Sequence, residues 1–317
     1  MRKVLVLGGT GFVGRHVCEK LHRDGWEVTV PTRRAVNAAA VQHLPRVHVV
    51  TADVHDTDHL LPLMQDHDAV VNLVAVLHGD EQRFERVHVE LPLTVAEACV
   101  SAGIRRLVHV SALGISTDGP SRYQRSKAQG EDVLRGSGLD LTLLRPSVMF
   151  GHGDRFLNLF AALQARAPFV PLAAADAQMQ PVWVEDVAQA VARCLGGNGV
   201  ARGSVGQTIE CAGPEVFTLR ELVQVAGQHG GQARPVWPLP RALGRWQAAL
   251  MEALPGEPVL SRDNLDALSV PNVASGSHPG LAALGIRPTS LHAVAPTYLG
   301  RRNSRSKLLH LREQAGR

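Results

Sequence analysis

Tyr123 and Lys127 stand four residues apart in the run Tyr123-Gln124-Arg125-Ser126-Lys127. On a helix that spacing puts both side chains on one face. An ammonium beside a phenol favours the phenolate, lowering a pKa that is otherwise about 10. The phenol could then give a proton to a carbonyl oxygen during reduction, or take one from an alcohol during oxidation. Lys127 could also hold the ribose hydroxyls of a nicotinamide. The hydride would belong to a cofactor, with the protein orienting it and handling the proton. Tyrosine and lysine meet at this spacing in many helices, so the pair gains meaning from its setting. Ser111 supplies a further hydroxyl at the end of the preceding strand pattern.

That setting begins at the start of the chain. Lys3-Val4-Leu5-Val6-Leu7 is a short β-rich run, and Gly8-Gly9-Thr10-Gly11-Phe12-Val13-Gly14 follows it. Gly8 permits a tight turn, Gly11 lets backbone approach a pyrophosphate, and Gly14 lets the next helix pack close to the sheet. The helix's unpaired first amides then face the phosphates. Glycines alone are weak evidence, but a strand before them and an amphipathic helix after them supply the confirming context. Thr10, Phe12 and Val13 join the glycines as candidate cofactor contacts.

The second strand leaves through Val28-Thr29-Val30-Pro31-Thr32-Arg33-Arg34. A site for NAD usually presents a carboxylate here for the adenosine ribose. Arg33 and Arg34 would instead pair with a 2′-phosphate, so the expected cofactor is NADP(H), with NAD(H) second. Asp53-Val54 follows the third strand, where Asp53 can bond the adenine amine or cap a turn. Asn72-Leu73-Val74-Ala75 closes the fourth strand, placing Asn72 and Ala75 beneath the ribose and pyrophosphate.

The elements that must position these residues alternate along the chain. Strands are expected at Val28–Val30, Val47–Val50, Ala69–Leu73, Leu107–Val110 and Leu139–Leu144, with helices at Phe12–Asp24 and around Tyr123–Leu134. Alternation of this kind implies right-handed crossovers and a doubly wound parallel sheet of Rossmann type. Residues 1–150 form the expected dinucleotide-binding core, and residues from about 181 to 212 could rejoin it. Residues 151–300 form a smaller lobe on the substrate or partner side. Within it, Asp154 reads as a helix cap, Arg155 is a candidate contact for an anionic group, and Trp183 reads as packing.

Composition narrows the classes further. The chain has 317 residues, 45% hydrophobic and 20% charged, as ordinary globular proteins do. Its four cysteines form no Cys-x-x-Cys pair and its histidines no zinc pattern, so no metal is expected and a reducing compartment fits. The first strand begins at once, which leaves no room for a signal peptide, and no apolar run spans a bilayer. A cytoplasmic protein, peripheral to the inner membrane at most, is the expectation. The charge of +4 gathers in a basic tail, 301–317, suited to an anionic membrane, an RNA or an acidic protein, or simply solvated. No aromatic-basic pattern accompanies it, so nucleic acid is not an expected partner.

Taken in order, these motifs resemble the extended and atypical short-chain dehydrogenase/reductase superfamily. Gly8 to Gly14 matches its cofactor motif and Tyr123-x-x-x-Lys127 its catalytic motif. Arg145-Pro146-Ser147-Val148-Met149-Phe150-Gly151 matches the stretch beside the nicotinamide, where Pro146 shapes the pocket. Gln180 to Ala188 matches a segment returning toward the substrate. More narrowly, Ser111-Ala112-Leu113-Gly114, Ser121 to Glu131 and Phe150 to Asn158 resemble bacterial relatives of the nucleotide-binding accessory subunit of respiratory complex I. That resemblance implies NADPH binding and a protein partner in the complex, with a structural or regulatory role. It also leaves room for a free-standing reductase acting on a small carbonyl or alcohol, or for a sugar-nucleotide epimerase or dehydratase. The superfamily's active serine is commonly the second of a Ser-Ser pair, and Ala112 occupies that place here. Ser111 or Ser121 would have to orient a substrate oxygen instead.

Overall fold

The computed structural model describes residues 2–299 apart from 197–198, 254–255 and 257. The basic tail, 301–317, lies outside the described residues.

The first half runs β1 (Lys3–Leu7), α1 (Phe12–Arg23), β2 (Glu27–Thr32), β3 (Val47–Thr51), α2 (Thr57–Met64), β4 (Ala69–Asn72), α3 (Glu81–Glu85), α4 (Leu91–Ser101), β5 (Arg106–Val110), α5 (Arg122–Arg135) and β6 (Asp140–Pro146). A π-helical turn, Arg86–Glu90, joins α3 to α4. The second half adds β7 (Met149–Phe150), α6 (Leu157–Gln164), β8 (Val170–Ala173), β9 (Gln178–Met179), β10 (Val182–Trp183), α7 (Val184–Leu195), α8 (Gly199–Gly203) and β11 (Thr208–Cys211). It ends with β12 (Phe217–Thr218), α9 (Leu219–His229), β13 (Val236–Leu239), α10 (Arg241–Glu252), α11 (Arg262–Ala267) and α12 (Leu291–Tyr298).

Seven strands form one parallel sheet in the order β11-β6-β5-β4-β1-β2-β3. The order reverses at β1, and ligands of such sheets sit outside the strand C-termini at that reversal. The strands are apolar on both faces because both are covered. Val4, Val6, Val28, Val30 and Val71 pack with Val17, Leu21, Val187 and Val191 of α1 and α7. Leu5, Leu7, Val70 and Leu107 pack on the other side with Leu60, Met64, Leu91 and Val95 of α2 and α4. The architecture is thus the expected doubly wound Rossmann sheet with a smaller lobe. β11, from far along the chain, pairs in parallel with β6 through Thr208–Leu143 and Cys211–Pro146.

The smaller lobe has its own apolar cluster, in which Leu157, Val170, Leu172, Leu222, Val223 and Leu291 are buried. Its short pairings are β8 with β13 and β9 with β12. β7 pairs with β10 and links the exit of β6 to the lobe. Among the described residues no helix is long and apolar enough to cross a membrane, and no group of His, Cys, Asp and Glu could hold a metal ion.

Candidate functional site

The turn after β1 is built from backbone. Gly8 takes φ +79°, a conformation that disfavours a side chain. A Cβ on Gly14 would stand 2.3 Å from the Gly8 carbonyl oxygen and 2.5 Å from Gly9 Cα. Helix α1 therefore meets the turn at a distance only glycine allows. Gly11 is its N-cap and offers no side-chain hydrogen bond, so the amides of Phe12, Val13 and Gly14 are not covered from that position. Such a helix start favours an anion. Thr10, Phe12 and Val13 are half-buried around it, while Gly11 is exposed. The close glycine contacts and uncapped amides fit a dinucleotide diphosphate.

The other expected cofactor contacts fall around the same end of the sheet in varied states. The Asn72 carboxamide oxygen accepts from the Val74 amide at 3.1 Å. Its Nδ2 is buried without a partner among the described residues, an orphan donor that a ligand could satisfy. Ala75 is exposed and Val54 half-buried. Asp53 accepts from the His55 amide at 3.1 Å, so its carboxylate closes a local turn. Pro146 is buried, and its carbonyl accepts from the Leu113 amide at 2.9 Å, joining the β6 exit to the β5 exit. Arg33 and Arg34 leave β2 into solvent. Arg15 ties α1 to the loop after β7 by donating to the His152 carbonyl.

Helix α5 places Tyr123 and Lys127 one turn apart, beginning from a capping box of Ser121 and Gln124. Ser121 is fully buried in that cap and cannot also face a substrate. The Tyr123 ring packs edge-on to His88 and Phe84, with centroids 5.4 and 6.4 Å away. The Lys127 ammonium is buried and donates to the Val110 carbonyl at 3.0 Å. Burial pushes the Lys127 pKa down to about 8, against the pull of Glu131, and pushes the Tyr123 phenol up to about 12. This reverses the sequence expectation. A charge moved out of water weakens its own ionisation before it assists a neighbour's, so the phenol stays protonated at neutral pH. Ser111 is also buried, on the side of Glu131, and its hydroxyl has no close hydrogen-bond partner among the described residues. Ala112, the half-exposed residue beside it, has no hydroxyl to offer.

Four polar arrangements around the dyad are set by contacts that the sequence does not announce. His88 lies in the π-helical turn, where helical periodicity breaks and conceals it. Its Nε2 accepts from the Val76 amide at 3.2 Å, so Nδ1 carries the proton toward Ser126 Oγ at 2.9 Å. Burial, with Lys127 nearby, holds the ring neutral and lowers its pKa to about 2. Glu131 is fully buried and clamped by Arg145 at 2.9 and 2.6 Å, with Arg135 at 2.9 Å. Its spacing from Arg135 is the i,i+4 of a helix, but Arg145 comes from β6. Asn272, from the chain's far end, accepts from Ser147 Oγ at 2.6 Å and the Val148 amide at 2.9 Å, and donates to the Leu113 carbonyl at 3.3 Å. Asp263 of α11 likewise reaches in from afar, accepting from the Arg122 and Tyr123 amides at 2.7 and 3.2 Å and so capping α5.

The sequence profile of an NAD(P)H-binding family matches residues 8–197. Over 295 residues the chain is 32% identical to NADH dehydrogenase (ubiquinone) 1 alpha subcomplex subunit 9, mitochondrial, of Rattus norvegicus, covering 90% of this chain and 76% of that one. Among solved structures, DesIV, the dTDP-glucose 4,6-dehydratase of Streptomyces venezuelae with NAD and TYD bound, aligns with TM-score 0.71 at 23% identity. It covers 95% of this chain and 97% of its own. The UDP-glucose 4-epimerase of Thermus thermophilus, in complex with NAD, aligns with TM-score 0.69 at 23% identity, covering 95% and 99%. NAD, not NADP, accompanies these two structures, which overturns the expected preference for NADP(H). The physical reason lies in Arg33 and Arg34. Both are exposed, and a guanidinium in bulk solvent is screened and not preorganised to select a 2′-phosphate. The chain belongs to the NAD(P)H-binding family, as an extended short-chain dehydrogenase/reductase homologous to subunit 9 of the mitochondrial NADH dehydrogenase alpha subcomplex, and it shares its fold with sugar-nucleotide epimerases.

Proposed function

We propose that this chain is a dinucleotide-stabilised structural or assembly subunit of a complex I-type NADH dehydrogenase, with no turnover of its own. The observation that carries this reading is the missing polarising group. Ala112, beside Ser111, has no hydroxyl to polarise a carbonyl, Ser111 itself is buried on the side of Glu131, and the Lys127 ammonium donates to a strand-end carbonyl. The turn at Gly8–Gly14 remains fitted to a diphosphate, so binding is kept where chemistry is not. The homology to subunit 9 runs along most of the chain and supports a protein partner in that complex.

When bound, a nicotinamide nucleotide would supply hydride chemistry. This chain's part is to hold its diphosphate on the α1 amides and exclude water with the wall of Tyr123, His88 and Phe84. Ligand that binds only the folded state stabilises it by about 2.7 kcal/mol at a hundred times its Kd. The test has two arms. NADH should raise the unfolding temperature, and the tagged chain should migrate with the NADH dehydrogenase complex on native gels. Oxidation of NADH by a small carbonyl that disappears in Tyr123→Phe would overturn the reading and favour an oxidoreductase. That second reading has one observation of its own, the retention of Tyr123 and Lys127 on one face of α5 with the phenol ring half-buried.

A further inference from the structure

Helix α10 is folded the wrong way round for a water-soluble surface. Its buried residues are Gly244 and Ala248, and a Cβ on Gly244 would come within 2.6 Å of Ala173 Cβ. Its large apolar residues face outward, with Leu243 54%, Trp246 69% and Leu250 54% exposed. Positions i, i+3 and i+7 form one stripe, here on the side opposite the two small residues. Trp237, 56% exposed and stacked on Phe169, and Val259 are further exposed apolar residues flanking α10 in sequence. A single exposed leucine needs no explanation, but a stripe of this kind does.

The flank of α10 toward α11 is basic. Arg122, Arg125, Arg245 and Arg262 line a depression of about 260 Å³ between α5, α10 and α11, and Arg241 stands beside it. The carboxylates there are already engaged. Asp266 pairs with Arg245 at 2.7 Å and Arg241 at 3.6 Å, Glu252 with Arg262 at 2.8 Å, and Asp263 caps α5. Five arginines against three carboxylates leave positive charge beside the apolar stripe.

We propose that α10 and its arginine flank dock on an anionic phospholipid bilayer, the stripe of Leu243, Trp246 and Leu250 entering the interface. A helix of twelve residues is too short to span, and lies in the plane of the membrane with its apolar side down. Tryptophan suits the headgroup boundary, its ring apolar and its N–H able to reach water or a phosphate. Arginines at headgroup level complement lipid phosphate and the leaflet's negative potential. This chemistry separates a lipid surface from a purely apolar protein groove, which would not call for the arginines.

The test is flotation of the full chain with vesicles of phosphatidylcholine alone or mixed with phosphatidylglycerol, together with tryptophan emission. Binding should require phosphatidylglycerol, weaken with added salt, and shift the emission to the blue. Trp246→Ser with Leu250→Ser should weaken binding at least about tenfold by removing buried apolar area, while the unfolding temperature stays near that of the wild type because both residues are exposed. Arg245→Gln should weaken it roughly fivefold. The proposal fails if the wild type does not float with phosphatidylglycerol vesicles, or if the double variant floats equally well, which would assign the binding to the tail at 301–317. It fails also if the stripe drives concentration-dependent dimers that the double variant abolishes while vesicle binding is absent.

Discussion

Replacing Gly14 with alanine tests the feature on which nucleotide binding rests. The new methyl would lie 2.3 Å from the Gly8 carbonyl oxygen, 2.5 Å from Gly9 Cα and 2.6 Å from the Gly9 carbonyl carbon. All three are backbone atoms, so no rotamer change relieves the contact. Either α1 slides away from the turn or the turn opens. Overpacking of this kind costs about 1–3 kcal/mol, which lowers the unfolding temperature by roughly 1.5 °C per kcal/mol in a chain of this size. The amides of Phe12, Val13 and Gly14 would move with the helix, and misplacing them should cost more than about tenfold in affinity, since charge-assisted hydrogen bonds are worth about 1.5–3 kcal/mol each. Calorimetric titration with NADH and urea denaturation give the two quantities separately. Gly203→Ala is the control. That glycine is helical and meets nothing within 4 Å, so alanine there should leave affinity alone and stabilise by up to about 1 kcal/mol. If Gly14→Ala binds NADH as tightly as the wild type, the diphosphate does not sit on this helix start.

Lys127 sits below its ordinary pKa when folded, so between about pH 8 and 10.5 the unfolded chain binds the extra proton and stability rises with pH. Relative to Lys127→Met, the wild type should gain up to about 3 kcal/mol across that window in urea denaturation, and a flat difference would remove the buried ammonium from the account. Glu131→Gln leaves Arg145 partly buried against a neutral partner and should cost about 3 kcal/mol. In the wild type burial raises the Glu131 pKa and the arginines more than offset it, leaving it lowered, so its contribution should fade as pH falls below the ordinary 4.5. Asn272→Ala removes an acceptor from Ser147 Oγ and the Val148 amide. It should cost about 1–3 kcal/mol and quicken proteolysis near residue 272, and unchanged proteolysis would show that the clasp is not holding the segment.

The parts of the fold legible in sequence were those written locally. The helix Phe12–Arg23 and the strands around Val28, Val47 and Ala69 follow from apolar runs and the glycines between them. Tyr123 and Lys127 share a helix face because both lie inside one element. What sequence concealed was set by contacts between distant segments. Helix propensity says nothing of the π-helical turn that turns His88 inward, and β8 finds β13 across a long stretch of chain. Within residues 181 to 212, the strand that rejoins the sheet is Thr208–Cys211, since pairing with Leu143 to Pro146 selects its register. The sign of the Tyr123 and Lys127 shifts depends on burial, which spacing alone does not encode. The arginines that follow β2 misled for the same reason, since their type was plain and their exposure was not.

The place of β11 in the chain order bears on how the molecule is made. During synthesis β6 emerges with one hydrogen-bonding edge bare, and the strand that covers it is still to be translated. At 5–20 residues per second the ribosome needs roughly 3–12 s to pass from residue 147 to residue 207. Through that interval the nascent sheet presents a templating edge of the kind that recruits foreign strands. A chaperone that shields it, or a nucleotide captured early by the glycine turn, would act during those seconds, before Thr208 to Cys211 cover β6.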